Sequence, residues 1–326
     1  MEHNSRLSLT RRGLLRTGTG VGLAALGLGY GAQSASAAVG ATSRFDLSQP
    51  SYDLFRDKSM HSVRVQQSFA FDSVNKRLFV AAKRTGSTEE AGDLCISHLD
   101  FDGNYVSYMH LNGFGHGVAF GVRPSGSTSN LWIESDANTN GYGSKLSCIK
   151  YSAGTTLDAS STSIGKFQPI AGATEYTCSI DPVYNRMIVR YHKDGAKRIA
   201  IYNVSDTDNG DFSNPLVMFT PPSIAGTPQG YTLYGSYMYF ITGDGYSASN
   251  PDPGNTYITS INVNTGTIAQ GPTLTKAGST LTYREPEGLA IYRTDAGESR
   301  LFLGFATGVE GDRRSSIFYK NALVSR

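Results

Sequence analysis

The chain has 326 residues, 29 Lys+Arg against 27 Asp+Glu for a net charge of +2, and 37 Gly, 19 Tyr, 15 Phe and one Trp. So many aromatics at so low a net charge exclude a disordered chain, and the lack of a basic excess excludes a nucleic-acid-binding surface. Abundant Gly and Tyr with 17% charged residues suit short strands and tight turns better than helices, so an all-β fold is expected.

The first element is a leader. Arg11 and Arg12 precede a weakly apolar, Gly-rich stretch over residues 17–32, and Ala35-Ser36-Ala37 supplies the small residues that signal peptidase needs. Six glycines interrupt the stretch, which is too short for a membrane span. Residues 1–37 therefore read as a twin-arginine signal peptide. They leave a single domain over 38–326 that is secreted already folded, with no membrane span after cleavage. Cys95, Cys148 and Cys178 lie in apolar strand patterns at unrelated spacings and read as small buried hydrophobes, with a Cys148–Cys178 bridge left open.

A repeat organises the remainder. Five segments open with a polar residue followed by a short alternating strand: Gln67-Ser-Phe-Ala-Phe, His116-Gly-Val-Ala-Phe, Glu175-Tyr-Thr-Cys-Ser, Gln229-Gly-Tyr-Thr-Leu and Glu287-Gly-Leu-Ala-Ile, spaced by 49 to 59 residues. Each leads through a turn into a strongly β run, such as Arg77-Leu-Phe-Val-Ala-Ala or Arg186-Met-Ile-Val-Arg-Tyr. Asp72 to Asn75 and Asp181 to Asn185 share the Asx chemistry of tight hairpins. With third strands and fourth strands near 105–111, 165–171, 215–220 and 270–275, the pattern is a five-bladed β-propeller of four-stranded blades. The last blade lacks a strand, so the N-terminal segment between Phe45 and Val65 is expected to complete it and close the ring, removing free sheet edges.

In a propeller the first strand of each blade runs along the axis, so the five openings, Gln67, His116, Glu175, Gln229 and Glu287, are expected around one axial funnel. Second-strand ends and loops would add Lys83, Arg84, Glu134, Asp136, Arg190, His192, Asp244, Tyr246, Tyr283 and Arg284. The openings differ chemically, which favours one asymmetric site. Tyrosine faces suit sugar rings, carboxylates and amides suit hydroxyl pairs, and Arg or Lys suits a uronate or phosphate. His116, between Gly115 and Gly117, is the ring member that titrates near neutral pH. Arg284 lies in a dense ionisable cluster, Tyr283-Arg284-Glu285-Pro286-Glu287.

Gly113-Phe-Gly-His-Gly-Val118, Leu131-Trp-Ile-Glu134 and Arg284-Glu-Pro-Glu-Gly-Leu-Ala-Ile-Tyr292 resemble the secreted actinobacterial teichoic acid biosynthesis protein C family. The β-propeller of that family is similar to the platform of staphylococcal phage receptor-binding proteins. The resemblance runs from about Phe45 to the C-terminus and implies five blades and a cell-wall polymer as partner.

The leading expectation is a module whose funnel binds an anionic cell-envelope or extracellular glycan, a polyol phosphate or a uronate polymer. The alternative is a polysaccharide lyase, with His116 abstracting a proton, Arg284 neutralising the uronate carboxylate and Tyr283 protonating the leaving oxygen. A glycoside hydrolase is a third reading, for which no carboxylate pair stands out. Residues 206–211 resemble a calcium loop but lack its spacing and terminal Glu. No nucleotide-binding or zinc-protease motif is present, so no cofactor and no metal are expected, and a monomer is.

Overall fold

Trp132 sits between Leu131 and Ile133 in a strand whose side chains alternate, and the two sets pack in opposite directions: Leu131 and Ile133 onto one neighbouring sheet, Trp132 onto another. The same alternation runs around the molecule. The computed structural model describes residues 39–325, so the leader expected over residues 1–37 lies outside the described residues.

Five antiparallel sheets form the blades. Blade 1 takes Gln66–Asp72, Arg77–Lys83, Leu94–Leu99 and Tyr105–Asn112, and blade 2 takes Gly121–Ser125, Thr128–Ala137, Gly143–Lys150 and Gly165–Phe167. Blade 3 consists of Thr174–Asp181, Arg186–Lys193, Ala196–Asn203 and Val217–Phe219, and blade 4 of Pro228–Tyr234, Tyr237–Thr242, Tyr257–Asn262 and Thr267–Leu274. In blade 5, Glu285–Arg293, Ser299–Val309 and Asp312–Lys320 are completed by Tyr52–Ser59 from the N-terminal side, which closes the ring as expected.

Two details depart from expectation. Blade 1 gains a fifth, parallel strand, Thr155–Asp158, on its outer edge. In blade 2 the first strand starts at Gly121 rather than at His116, so residues 116–120 approach the axis as a loop. All three cysteines are free, Cys95 and Cys178 buried and Cys148 partly so.

Five apolar clusters fill the five clefts between successive blades, for example Phe79, Met109 and Phe120 between blades 1 and 2, and Ile241, Leu289 and Phe305 between blades 4 and 5. Each buried large side chain contributes roughly 1.5 to 3 kcal/mol. The Asx turns add polar links across clefts. Asp72 accepts Val74 N and Asn75 N within its own turn and Ser129 Oγ of blade 2 at 2.6 Å. Asp181 accepts Val183 N and Tyr184 N, and Gly235 N of blade 4 at 2.7 Å.

Candidate functional site

The pairing of first and second strands slips at the axial end of four blades. Between Gln66 and Ser68, Thr174 and Thr177, Pro228 and Gly230, and Pro286 and Leu289, extra residues on the first strand have no partner across the ladder. Gln67, Glu175, Gln229 and Glu287 lie in these slips, and such bulges re-aim side chains out of the pleat. Glu175 takes a positive φ of 54° to do so. All four line an axial cavity of about 550 Å³, and His116 joins them from its loop. The structure thus brings the five openings together.

His116 is placed by a residue that does not itself reach the cavity. Glu134 is fully buried, and its carboxylate accepts Gly117 N and Gly143 N, each at 2.6 Å. One side chain thereby fastens the His116 loop to the loop of Tyr142, and the two rings stack with centroids 4.9 Å apart and planes 13° apart. A Cβ on Gly115 would lie 2.1 Å from Glu134 Oε2, so this glycine makes room for the carboxylate. Burial raises the Glu134 pKa, and the backbone N–H groups it accepts oppose the shift. Burial, then the nearby Lys83, lowers His116 from 6.5 to about 4, which keeps the imidazole neutral at neutral pH.

The cavity is polarised. Lys83 and Arg64 share Glu89, at 3.5 and 3.1 Å. On blade 3, Arg190 lies under the ring of Tyr231, its guanidinium carbon 5.5 Å from the centroid, and Lys197 stands nearby; neither has an ion pair among the described residues. On blade 5, Glu285 accepts Tyr283 Oη at 2.5 Å, and Glu287 is pushed well above the usual carboxylate range by burial, with Glu285 adding to the rise. Arg190 and Lys197 thus share one wall with Glu175, which acts electrostatically on Lys197, while blade 5 supplies two further carboxyls.

Several expected site residues lie elsewhere. Arg284 is wholly buried: Nε donates to Ala277 O and Nη2 to Thr275 O, both at 2.8 Å, Nη1 donates to Thr256 Oγ1 at 3.2 Å, and the guanidinium packs against Tyr246 and Phe305. It ties loops of blades 4 and 5 together and has no access to a ligand in the cavity. Tyr246 is spent on Asp252 and Ser279 O. Tyr283 reaches the cavity only through Glu285, with Arg313 stacked 3.3 Å over its ring. The lyase trio of His116, Tyr283 and Arg284 therefore does not assemble. Glu134 lies beneath the lining. Arg84 opens into a separate pocket, and His192, about 7 Å further along its strand than Arg190, is outside the lining. Asp136 pairs with Lys145 and Lys166, and Asp244 accepts Thr227 Oγ1.

The reading of the repeat did not find Arg64, Glu89, Tyr142 and Lys197, which line the cavity from loops and a third strand. Gly141-Tyr142-Gly143 was the one local signal: a ring between two glycines just before a strand. Among the described residues no group of three or more His, Cys, Asp or Glu could hold a metal ion, and no helix is long and apolar enough to cross a membrane.

Comparison with known proteins gives a consistent family. The model of the phage 5-bladed β-propeller receptor-binding platform domain matches residues 65–319. The putative major teichoic acid biosynthesis protein C of Bacillus subtilis (strain 168) is 28% identical over 284 residues, 84% of this chain and 63% of that protein, so the chain spans less than two thirds of the relative's length. The tail fiber of Staphylococcus aureus phage P68 superposes with a TM-score of 0.68 at 18% identity, over 84% of this chain and 53% of that one.

Proposed function

Because this chain belongs to the family of phage five-bladed β-propeller receptor-binding platform domains, we propose that its axial cavity binds an anionic polymer of the cell envelope, of the teichoic-acid or uronate class. The observation that carries this reading is the unpaired Arg190 and Lys197 on one wall of a concave, ring-lined cavity, opposite carboxyls and amides that accept or donate to hydroxyls. The anionic group of a repeat unit sits against Arg190 and Lys197. The polyol or sugar lies across the stacked His116 and Tyr142, with Gln67, Gln229 and Glu285 taking its hydroxyls.

Binding is tested by affinity electrophoresis of the protein through gels containing wall teichoic acid, a polyuronate or neutral dextran. Retardation in an anionic polymer, weakened by salt and reduced at least about tenfold in Arg190→Gln/Lys197→Gln, is expected, since a hydrogen bond to a charged group contributes about 1.5 to 3 kcal/mol. Equal retardation in dextran, or none in any polymer, refutes the reading. Release of unsaturated uronate ends from the polyuronate would replace binding by β-elimination, with His116, neutral at neutral pH, as the base.

The polymer lies outside the cytoplasm, and the twin-arginine leader read in residues 1–37 supplies the export route for a prefolded domain. Arg11→Lys/Arg12→Lys is expected to leave the protein in the cytoplasm in a fractionation experiment; unchanged export counts against that route.

A further inference from the structure

Lys83 ends the second strand of blade 1 and Arg84 follows it, and the two side chains part: Lys83 lines the axial cavity, Arg84 a second pocket of about 170 Å³ with His61, Ser62, Thr85 and His110. Arg84 donates from Nη1 to Asn112 Oδ1 at 2.5 Å and has no ion pair among the described residues, which leaves most of its five donors unspent. His61 lies flat on Tyr108, centroids 3.5 Å apart, and its ring is 5.4 Å from that of His110. Ser62 Oγ donates to Lys83 O at 2.6 Å and lies 3.2 Å from Thr85 Oγ1, which fixes the crossover segment between Tyr52–Ser59 and Gln66–Asp72, carrying His61, against the strand end. The lining contains no carboxylate.

A guanidinium, two imidazoles and a hydroxyl thus converge on a small opening from the crossover and two strands. A planar carboxylate is met by one fork. Donors arriving from several directions suit the tetrahedral oxygens of a phosphate. We propose that Arg84, His61 and His110 form a phosphate subsite, which engages a second repeat of the polymer held in the axial cavity. The polymer rests on the function proposed above, whereas the phosphate site does not. Two weak sites on one chain raise retention by effective concentration without any new contact.

Burial lowers the pKa of both imidazoles, and Arg84 and His61 lower His110 further. The charged and titratable groups around the pair are Arg84, Tyr105, Tyr108 and Cys95, with Asp158 one step away through Asn112. A bound phosphate favours the charged imidazolium and so raises both pKa values from their lowered positions, and binding is accompanied by proton uptake at the pair.

The test titrates the protein with inorganic phosphate while its histidine ring signals are followed by NMR, above and below pH 6.5. His61 and His110 are expected to shift together and saturate at both pH values. Arg84→Gln, and Arg84→Lys as the variant that keeps the charge, weaken binding about tenfold or more, while Arg190→Gln leaves those two signals unchanged. Signals that stay still, or that move equally in Arg84→Gln, overturn the subsite. Phosphate bound at Arg84 with no polymer retained refutes the axial function and keeps the subsite. Polymer retained equally by wild type and Arg84→Gln, with His61 and His110 silent to phosphate, does the reverse.

Discussion

His116 couples the cavity to the stability of the fold. Burial holds its pKa near 4 in the folded chain, against an ordinary value of 6.5. Between these values the unfolded chain takes up a proton that the folded chain refuses, so the stabilisation is complete above pH 6.5 and is lost as pH falls towards 4, by up to about 3 kcal/mol. Glu287, raised by burial and by Glu285, acts with the opposite sign and offsets part of the loss. The clean comparison is therefore wild type against His116→Gln in urea titrations from pH 7 to 4, where the variant is expected to lose less stability than the wild type as pH falls. Parallel curves would mean that the imidazole is solvated in the fold. The same residue shows what spacing does and does not reveal. His116 was recognisable from its place in the repeat, whereas its true support, Glu134, read as a ligand contact because a sequence does not show that two loop N–H groups consume its carboxylate. Arg284 misled for the same reason: main-chain carbonyls of the preceding loop, Ala277 O and Thr275 O, take its donors.

At the scale of the element, the strands and Asx turns follow from alternation and local side-chain chemistry and were legible one blade at a time. The bulges were not, since each is a mismatch between two strands and appears only when they pair. Close packing near the axis depends on these slips. A Cβ on Gly288 would lie 2.8 Å from Ser68 Cα, a backbone atom of blade 1, and Gly288 has φ 87°. Gly288→Ala therefore forces the first strands of blades 5 and 1 apart and strains the bulge that carries Glu287. A loss of roughly 1 to 3 kcal/mol is expected, read as a lowered melting temperature, together with weaker polymer retention. An unchanged melting temperature would show that the two strands separate freely, and the bulge would then not be what fixes Glu287.

At the scale of the whole molecule, the ring is closed by hydrogen bonds between residues far apart in the chain: Tyr52 faces Tyr319 across the outer pair of blade 5, their rings 5.5 Å apart. Five clefts share the apolar core, so each blade buries apolar side chains against both neighbours, and the closing strand packs Phe55 into the cleft between the last blade and the first. A covalent link there constrains the unfolded chain over nearly its whole described length. Tyr52→Cys/Tyr319→Cys is expected to stabilise the oxidised protein by up to about 5 kcal/mol, less whatever the lost ring contact contributes, and the gain disappears with reductant. Denaturant midpoints measured with and without dithiothreitol read the difference directly. If the oxidised and reduced midpoints coincide although the bridge has formed, the closing strand leaves the ring before the blades unfold, and closure contributes to solubility by covering a sheet edge rather than to the stability of the propeller.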